Sequence, residues 1–302
     1  MRIVSVLPSA TEIVCALGAR DELVGRSAEC DFPADVAELP IVMRPRTLDA
    51  ERPSAEIDRR VARALSQGES LYALDVPLLR QLRPDVLLTQ DLCGVCSVTE
   101  EEVRRACAEA GLRPEILSLN PRTLEEVWGS VESVGHAIGR VPEGRSLAAS
   151  LRERSAAALS PERTARVAVV EWLDPPILAG LWTPDLIERA GGLAIGPRSG
   201  APGERTSWPD LASRQPDLVV LSPCSFGVSR TARELATPDL ARALRGLAPR
   251  LGTFLADEAF FSRPGPRLVE GAGMLGTLLR GGVPEYSLPT VRWEPAAAEG
   301  VS

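Results

Sequence analysis

The stretch that decides the fold is residues 2–12, which read Arg2-Ile3-Val4-Ser5-Val6-Leu7-Pro8-Ser9-Ala10-Thr11-Glu12. The apolar run Arg2–Leu7 predicts a buried strand, and Thr11–Leu17, closed by Gly18, predicts a helix directly after it. A strand that leads straight into a helix is typical of sheets whose parallel strands are connected by helices. This strand begins at residue 2, and no basic stretch or apolar export signal precedes it, so we expect a cytoplasmic protein.

Strands and helices alternate through the rest of the chain, which predicts parallel sheets with helices on both faces. The further predicted strands are Leu23–Arg26, Val86–Thr89, Glu115–Leu119, Arg166–Trp172, Leu218–Leu221 and Gly252–Leu255. The further predicted helices are Ser54–Ser66, Val76–Leu82, Thr99–Ala110, Thr123–Ile138, Glu143–Leu159, Thr183–Ala190, Trp208–Arg214, Ala232–Leu235, Asp239–Leu244 and Arg267–Leu279.

The two halves of the chain repeat one short pattern, which indicates two similar domains. Arg83-Pro84-Asp85-Val86 and Gln215-Pro216-Asp217-Leu218 each lead into an apolar strand that is followed by a cysteine-bearing loop. We therefore predict an α/β protein with two Rossmann-like parallel-sheet domains. The predicted boundaries are 1–122 for the first lobe, 123–160 for bridging helices, 161–285 for the second lobe and 286–302 for an arm or disordered tail. Ligands of such sheets bind beyond the carboxyl ends of the strands, so the expected site is a cleft between the lobes.

Composition excludes several classes of function. The 302 residues carry a net charge of −7 without a basic cluster, which argues against nucleic acid as a partner, and no apolar run is long enough for membrane insertion. All 34 basic residues are arginine, which excludes a Schiff-base lysine and a P-loop, and Gly200–Gly203 lacks the dinucleotide-binding spacing. The single histidine, His136, excludes a multi-histidine metal site.

Aromatic residues are scarce, yet several follow predicted strands or lead into predicted helices. They are Trp172, Trp182, Trp208, Phe226 and Phe260. Flat rings offer a large apolar area to a planar ligand, so we predict that these residues bind one, with Asp257 beside Phe260 as a polar contact. The alternative for each ring is that it fills a gap between a loop and the sheet.

Four cysteines, namely Cys30, Cys93, Cys96 and Cys224, also follow predicted strands, whereas Cys15 and Cys107 fall within helical patterns and are expected in the core. Thiolates select soft metals such as Zn²⁺ or Cu⁺, so the four form a candidate metal site. The pair Cys93-x-x-Cys96 is equally compatible with a redox pair or with unrelated loop cysteines.

The ordered motifs resemble the periplasmic binding protein superfamily for cobalamin and ferric siderophores, the class with a helical connection between its domains, and its leaderless cobalamin-binding branch most closely. The matching stretches are residues 3–12, Glu29-Cys30-Asp31-Phe32-Pro33, residues 82–86, Asp174-Pro175-Pro176, residues 188–192, residues 207–211 and Ser262-Arg263-Pro264-Gly265-Pro266-Arg267. Compared with this family, the segment Arg44–Gly68 is longer and carries an extra helix.

The resemblance implies non-catalytic binding of cobalamin or a related corrinoid or metal-containing ligand, with a transporter or a corrinoid enzyme as possible partner. Pro8, Ser9 and Phe32, which lie in the matching stretches, join the expected ligand contacts. Arg263 joins them as a contact for an anionic ligand such as a phosphate or carboxylate, with Arg44, Arg46 and Arg267 as alternatives. The alternatives are a thiol-dependent soft-metal or redox protein that uses the four cysteines, and an enzyme acting on a tetrapyrrole-like cofactor, for which the sequence offers no general base.

Overall fold

The computed structural model describes residues 1–46, 51–92, 98–157, 164–282, 284 and 290–293. The chain divides into two compact units. Unit 1 consists of Met1–Asp49, Glu56–Arg154 and Arg263–Arg267, and unit 2 consists of Ala50–Ala55, Ser155–Ser262 and Leu268–Ser302. This division differs from the boundaries expected from the sequence. Ala50–Ala55, from the first half of the chain, belongs to unit 2, and Arg263–Arg267, from the second half, belongs to unit 1.

Unit 1 alternates strands and helices as the sequence predicts. Its strands are β1 (Ile3–Ser5), β2 (Leu23–Ser27), β3 (Ile41–Pro45), β4 (Tyr72–Leu74), β5 (Val86–Thr89) and β6 (Glu115–Ser118). Its helices are α1 (Pro8–Ala16), α2 (Ser54–Ser66), α3 (Val76–Leu82), α4 (Glu100–Ala110), α5 (Leu124–Ala137) and α6 (Val141–Ala157). Short 3-10 turns cover Arg20–Glu22 and Ala34–Glu38.

The sheet of unit 1 has the order β4-β3-β2-β1-β5-β6 within the described residues. Its pairs are parallel, apart from β3 with β4 at the edge. Strand β3 and the edge strand β4 escaped the sequence analysis, because they are short and lack a clear apolar alternation. β1 lies in the middle and is fully buried, which explains its uninterrupted apolar sequence.

The ends of the helices follow local chemistry. Thr99 and Glu102 form the predicted capping box of α4, and Gly111 ends that helix at φ +73°. The predicted connection from 123 to 159 is two helices, α5 and α6, and α5 packs on α1. The bridging helices therefore count largely with unit 1.

Unit 2 repeats the α/β pattern. Its strands are β7 (Arg166–Leu173), β8 (Pro176–Leu178), β9 (Leu193–Ala194), β10 (Glu204–Arg205), β11 (Leu218–Leu221), β12 (Gly252–Ala256) and β13 (Thr290–Trp293). Its helices are α7 (Thr183–Arg189), α8 (Trp208–Ser213), α9 (Val228–Leu235), α10 (Pro238–Arg245) and α11 (Leu268–Leu279), with a 3-10 turn at Glu258–Phe260. Strands β7, β11 and β12 run parallel, with β7 beside β11 and β11 beside β12.

The tail differs from the expectation of an arm or disordered segment. Within it, Thr290–Trp293 forms β13, which pairs antiparallel with β12. Trp293 packs against the core of unit 2, and the Arg292 guanidinium lies 5.9 Å from the Phe254 ring. The sequence analysis missed this strand because its Pro-rich surroundings mask a stretch of only four residues.

The repeated Pro-Asp pattern has the same function in both units. In unit 1 the Asp85 carboxylate accepts a hydrogen bond from the Arg2 backbone N–H at 2.7 Å. In unit 2 the Asp217 carboxylate accepts one from the Arg166 N–H, also at 2.7 Å. Each aspartate thus satisfies the first donor of the neighbouring strand and sets that strand's register. No described helix is long and apolar enough to cross a membrane.

Candidate functional site

Two groups of side chains lie beyond the carboxyl ends of the parallel strands, one in each unit. The unit 1 cluster consists of Glu12, which follows β1, Asp31 and Phe32, which follow β2, and Arg263 and Arg267 from the segment Arg263–Arg267. The unit 2 cluster follows β7, β11 and β12 and consists of Trp172, Phe226, Arg230, Glu234 and Asp257. Each is described by itself below.

The centre of the unit 1 cluster is the buried carboxylate of Glu12 on α1. Arg267 donates to it from Nε at 2.9 Å and also from Nη2, and Arg263 Nη1 lies 3.4 Å from Oε1. Arg263 also donates two hydrogen bonds to Asp31, one of them from Nη2 at 3.1 Å. Two arginines and two carboxylates thus balance in charge, which is the condition for burying Glu12 against Arg263 and Arg267, while Asp31 lies at the exposed side of the cluster.

Phe32 is the aromatic residue of this cluster, and 46% of its surface is accessible. The Arg267 guanidinium lies 4.3 Å from its ring centroid, a cation–π contact. A pocket of about 230 Å³ opens beside them. Its lining includes Glu12, Cys15, Phe32, Pro33, Pro266 and Arg267.

The predicted contacts Pro8 and Ser9 begin α1 in the same unit. Ser9 is buried, and its Oγ has no hydrogen-bond partner among the described residues. The backbone of Gly265 passes directly over it, since a Cβ on Gly265 would lie 3.5 Å from the Ser9 Cα. The structure thus brings Pro8, Ser9, Phe32 and Arg263 together in unit 1.

The two acids of the β2 loop have opposite pKa shifts. Burial alone would raise the pKa of Asp31, but the hydrogen bonds and charge of Arg263, with the charge of Arg267, hold it below its ordinary value. Burial raises the pKa of Glu29, and the nearby Arg263 offsets only part of that shift. Asp31 is therefore the anchored anion of this loop.

The unit 2 cluster is built around two aromatic rings in tilted contact. Trp172 at the end of β7 and Phe226 after β11 have centroids 5.4 Å apart and planes tilted by 47°. Phe226 is almost fully buried, whereas the Trp172 ring is partly exposed. The indole Nε1 of Trp172 is shielded from solvent and has no hydrogen-bond acceptor among the described residues. An orphaned donor of this kind is destabilising by about 1–3 kcal/mol, and an incoming acceptor would remove that penalty.

Asp257 lies beside the same loop. A Cβ on Gly227 would come within 3.4 Å of its Oδ2, and its backbone carbonyl accepts a hydrogen bond from the Ser222 hydroxyl at 3.3 Å. Its Oδ1 accepts the Ala259 N–H at 3.0 Å and so begins the 3-10 turn. The structure thus brings Trp172, Phe226 and Asp257 together, with the partly buried Cys224 in the β11 loop.

The remaining predicted aromatic contacts lie deeper in unit 2. Trp208 is only 8% exposed and packs in the hydrophobic core with Leu211. Trp182 is buried, and its indole donates to the Phe261 carbonyl at 2.7 Å. Phe260 is buried in the 3-10 turn. In these positions little of each ring is open to a ligand, so the burial favours packing roles, and ligand contact by Trp182, Trp208 or Phe260 stays a prediction.

The proposed thiol site remains untested. Cys93 and Cys96 lie outside the described residues. Cys30 is buried beside Thr11, whose Oγ1 lies 3.0 Å from its Sγ, and burial raises its thiol pKa to about 11. Among the described residues, no group of three or more His, Cys, Asp or Glu side chains is arranged to hold a metal ion.

The sequence analysis missed Arg230 and the central role of Glu12. Arg230 lies four residues after Phe226 and four before Glu234, a helical spacing that places an ion pair on one face of α9. That spacing was a usable signal. The pairing of Glu12 with Arg267 leaves no signal in the sequence, because 255 positions separate the two residues.

No protein-family model and no curated protein matches the sequence. Solved structures do match. A periplasmic vitamin B12-binding protein of Vibrio cholerae is similar with a TM-score of 0.62 and 20% identity, over 92% of this chain and 96% of that one. A periplasmic heme-binding protein of Pseudomonas aeruginosa is similar with a TM-score of 0.65 and 22% identity, over 91% of each chain.

A third match is a possible iron-binding periplasmic solute-binding protein of Staphylococcus epidermidis, with a TM-score of 0.64 and 18% identity, over 92% of this chain and 98% of that one. At these identities the likeness concerns the fold, and the resemblance found from the sequence motifs is confirmed at that level. The chain therefore has the α/β fold of the periplasmic binding proteins, the fold that these vitamin B12-binding and heme-binding proteins share.

Proposed function

We propose that this protein binds a corrinoid, cobalamin first, without transforming it. The observation that carries the proposal is Trp172, a partly exposed ring with an orphaned indole donor at the carboxyl end of the parallel strand β7. Ligands of open α/β sheets bind at that edge. The fold is shared with proteins whose names state vitamin B12 or heme as ligand, which supports a metal-bearing macrocycle as the ligand class.

Charge favours a corrinoid over heme. The periphery of a corrinoid carries neutral carboxamides, whose carbonyls accept and whose N–H groups donate hydrogen bonds, whereas heme carries propionate anions. Trp172 offers a neutral donor, and the carboxylate of Asp257 in the same unit offers an acceptor. A carboxylate near a propionate would be repulsive in a partly desolvated site. The acidic chain, with a net charge of −7, adds to that preference.

The partner and the compartment of the protein are proposed on the same basis as its ligand. A protein that captures and releases its ligand unchanged fits a transporter or a corrinoid enzyme as partner. We further propose that it works in the cytoplasm. Three of the described cysteines, Cys15, Cys30 and Cys107, are free thiols, which fits a reducing compartment. Recovery of the native protein from a periplasmic or secreted fraction would contradict this localisation.

The binding proposal is tested by titrating the purified protein with cyanocobalamin, dicyanocobinamide and hemin, followed by absorption spectra and calorimetry. We expect saturable binding of the corrinoids, and weaker binding of hemin because of its propionates. Replacement of Trp172 by Ala removes the contact ring and should weaken cyanocobalamin binding by about 1–3 kcal/mol. The matched control is Trp128→Phe, which alters a fully buried tryptophan on α5 in unit 1.

Two outcomes would contradict the proposal. The first is the absence of heat and spectral change with either corrinoid at high micromolar concentration. The second is an equal loss of affinity in Trp172→Ala and Trp128→Phe, since it would mean that binding follows overall stability and not the Trp172 ring.

A further inference from the structure

Arg230 contacts Phe226, the buried ring of the aromatic pair, and is itself only 13% exposed. Its guanidinium carbon lies 4.3 Å from the centroid of Phe226, the ring that Trp172 contacts at a tilt. It also pairs with Glu234, one turn further along α9, at 2.6 Å. A cation held against a buried ring in this way restricts the positions that the ring can take.

A short segment from far earlier in the chain holds this arginine. We call Glu51–Ser54 the strap segment. Arg230 Nη2 donates to the backbone carbonyl of Arg52 at 2.6 Å, and the Ser54 N–H donates to Glu234 Oε1 at 2.6 Å. Both partners of the Arg230–Glu234 pair are therefore bound by the strap segment, which unit 2 includes. The strap segment lies in the stretch 44–68 that is longer than the sequence resemblance leads one to expect.

The loop that carries Phe226 needs outside support. Ser225, directly before Phe226, has φ +63°, in the left-handed region that side-chain-bearing residues rarely adopt. Such a residue persists only where its surroundings hold it, at a penalty on the order of 1–2 kcal/mol. Within the loop, one local hydrogen bond, from the Phe226 N–H to the Pro223 carbonyl at 3.0 Å, closes the turn.

From these contacts we infer that Arg230 is a positioning residue, which the strap segment holds in place and which sets the β11 loop and, through Phe226, the ring of Trp172. The inference rests on the proposed function for its consequence, namely that corrinoid affinity depends on an arginine that does not touch the ligand. The strap segment then acts as a determinant of affinity through its hydrogen bonds to Arg230 and Glu234.

The first test is a double-mutant cycle on the full chain, with cyanocobalamin as the probe. Arg230→Ala and Phe226→Leu should each weaken binding by roughly tenfold, and the double variant should weaken it little further, because both act on the same ring. Arg242→Ala, at an exposed arginine of the next helix, α10, is the matched control and should leave the affinity unchanged. Fully additive losses, or a loss in the control equal to that of Arg230→Ala, would overturn the inference.

The second test needs no ligand and separates this inference from the proposed function. Cys224 lies two residues before Phe226, so its alkylation by iodoacetamide, followed by peptide mass spectrometry, reports on the order of the loop. We expect several-fold faster labelling of Cys224 in Arg230→Ala than in wild type or Arg242→Ala. Labelling of the buried Cys107 in α4 should stay equal in all three, which excludes global unfolding.

The outcomes are then distinct. If wild type binds no corrinoid but Cys224 labelling rises in Arg230→Ala, the proposed function fails and the role of Arg230 in holding the loop stands. Unchanged Cys224 labelling overturns the inference whether or not a corrinoid binds. Should Arg230→Ala fail to fold, Arg230→Lys keeps a charge for Glu234 and replaces it in both tests, with a smaller effect in the same direction.

Discussion

Two arginine–phenylalanine contacts, one in each unit, share a geometry and differ in their surroundings. Arg267 lies 4.3 Å from the ring of Phe32, and Arg230 lies 4.3 Å from the ring of Phe226. Each phenylalanine follows a parallel strand, and each arginine also pairs with a buried glutamate. Phe32, however, is 46% exposed, whereas Phe226 is 1% exposed.

The difference indicates what each contact does. At an exposed ring, water competes with the ring for contact with the guanidinium, so the cation–π contact adds little to stability. The exposed ring also leaves a surface that another molecule can approach. Over a buried ring the same guanidinium belongs to the packed interior, and its loss disturbs every neighbour of that ring. The same pair of residue types therefore forms an accessible surface in unit 1 and a support in unit 2.

The largest expected effect is on the two rings themselves. Phe226→Ala removes a buried ring and leaves a cavity, and we expect a loss of about 3–5 kcal/mol in the free energy of unfolding. Phe32→Ala removes a half-exposed ring, and we expect a loss below about 1 kcal/mol. Urea unfolding at pH 7 measures both. Similar losses in the two variants would contradict the contrast between an open and a buried contact.

Next in size is the glutamate under the exposed ring. Glu12→Gln leaves Arg263 and Arg267 with a neutral partner in a buried setting, so we expect a loss of about 3 kcal/mol in the free energy of unfolding. The matched control is Glu100→Gln, which breaks the exposed Glu100–Arg104 pair on α4 and should change stability by about 0.3–0.5 kcal/mol. Equal changes in the two variants would show that the unit 1 cluster is no more than a surface ion pair.

The smallest effect concerns pH and the second carboxylate of unit 1. The pKa of Asp31 is lowered in the folded protein, so its contribution is present above the unfolded value of about 3.9 and is lost as the pH falls through the folded value below it. Because the side chain is 65% exposed, solvent screening keeps this contribution below about 1 kcal/mol.

We therefore expect Asp31→Asn to have a lower free energy of unfolding than wild type at pH 5. This difference should narrow as the pH falls toward about 2, measured by urea unfolding at each pH. Burial raises the pKa of Glu29 in the same loop, and the charge of Asp31 adds to that shift. Asp31→Asn removes this added charge, so the titration of Glu29 acts with the opposite sign and offsets a small part of the narrowing. A difference that stays constant over this range would mean that Arg263 does not lower the pKa of Asp31.

Much of the architecture was predictable because its causes are local. The predicted bounds of Ser54–Ser66, Val76–Leu82 and Leu218–Leu221 agree with the structure residue for residue. Helix ends depend on caps a few residues away, as at Thr99, and buried parallel strands appear as apolar runs. Short strands such as β8–β10 were missed, since two or three residues carry too little periodicity.

The candidate site was predictable only in part. Trp172, Phe226 and Asp257, chosen from predicted strand ends, lie close together in unit 2, and their contact with a ligand stays a prediction. Composition at those ends could not distinguish an open ring from a packed one, so Trp208 was grouped with them although it lies in the core. Burial depends on what packs against a ring from elsewhere in the chain.

By itself, the sequence determined the alternation of strands and helices, the helix caps and the repeated Pro-Asp pattern, because each follows from residues that are neighbours along the chain. Only the tertiary structure decided which charges meet. Arg263 and Glu12 are 251 positions apart, and Ser54 and Glu234 are 180 apart. Contacts at such separations leave no spacing in a single sequence, since they form only when packed strands and helices bring their loops to the same place.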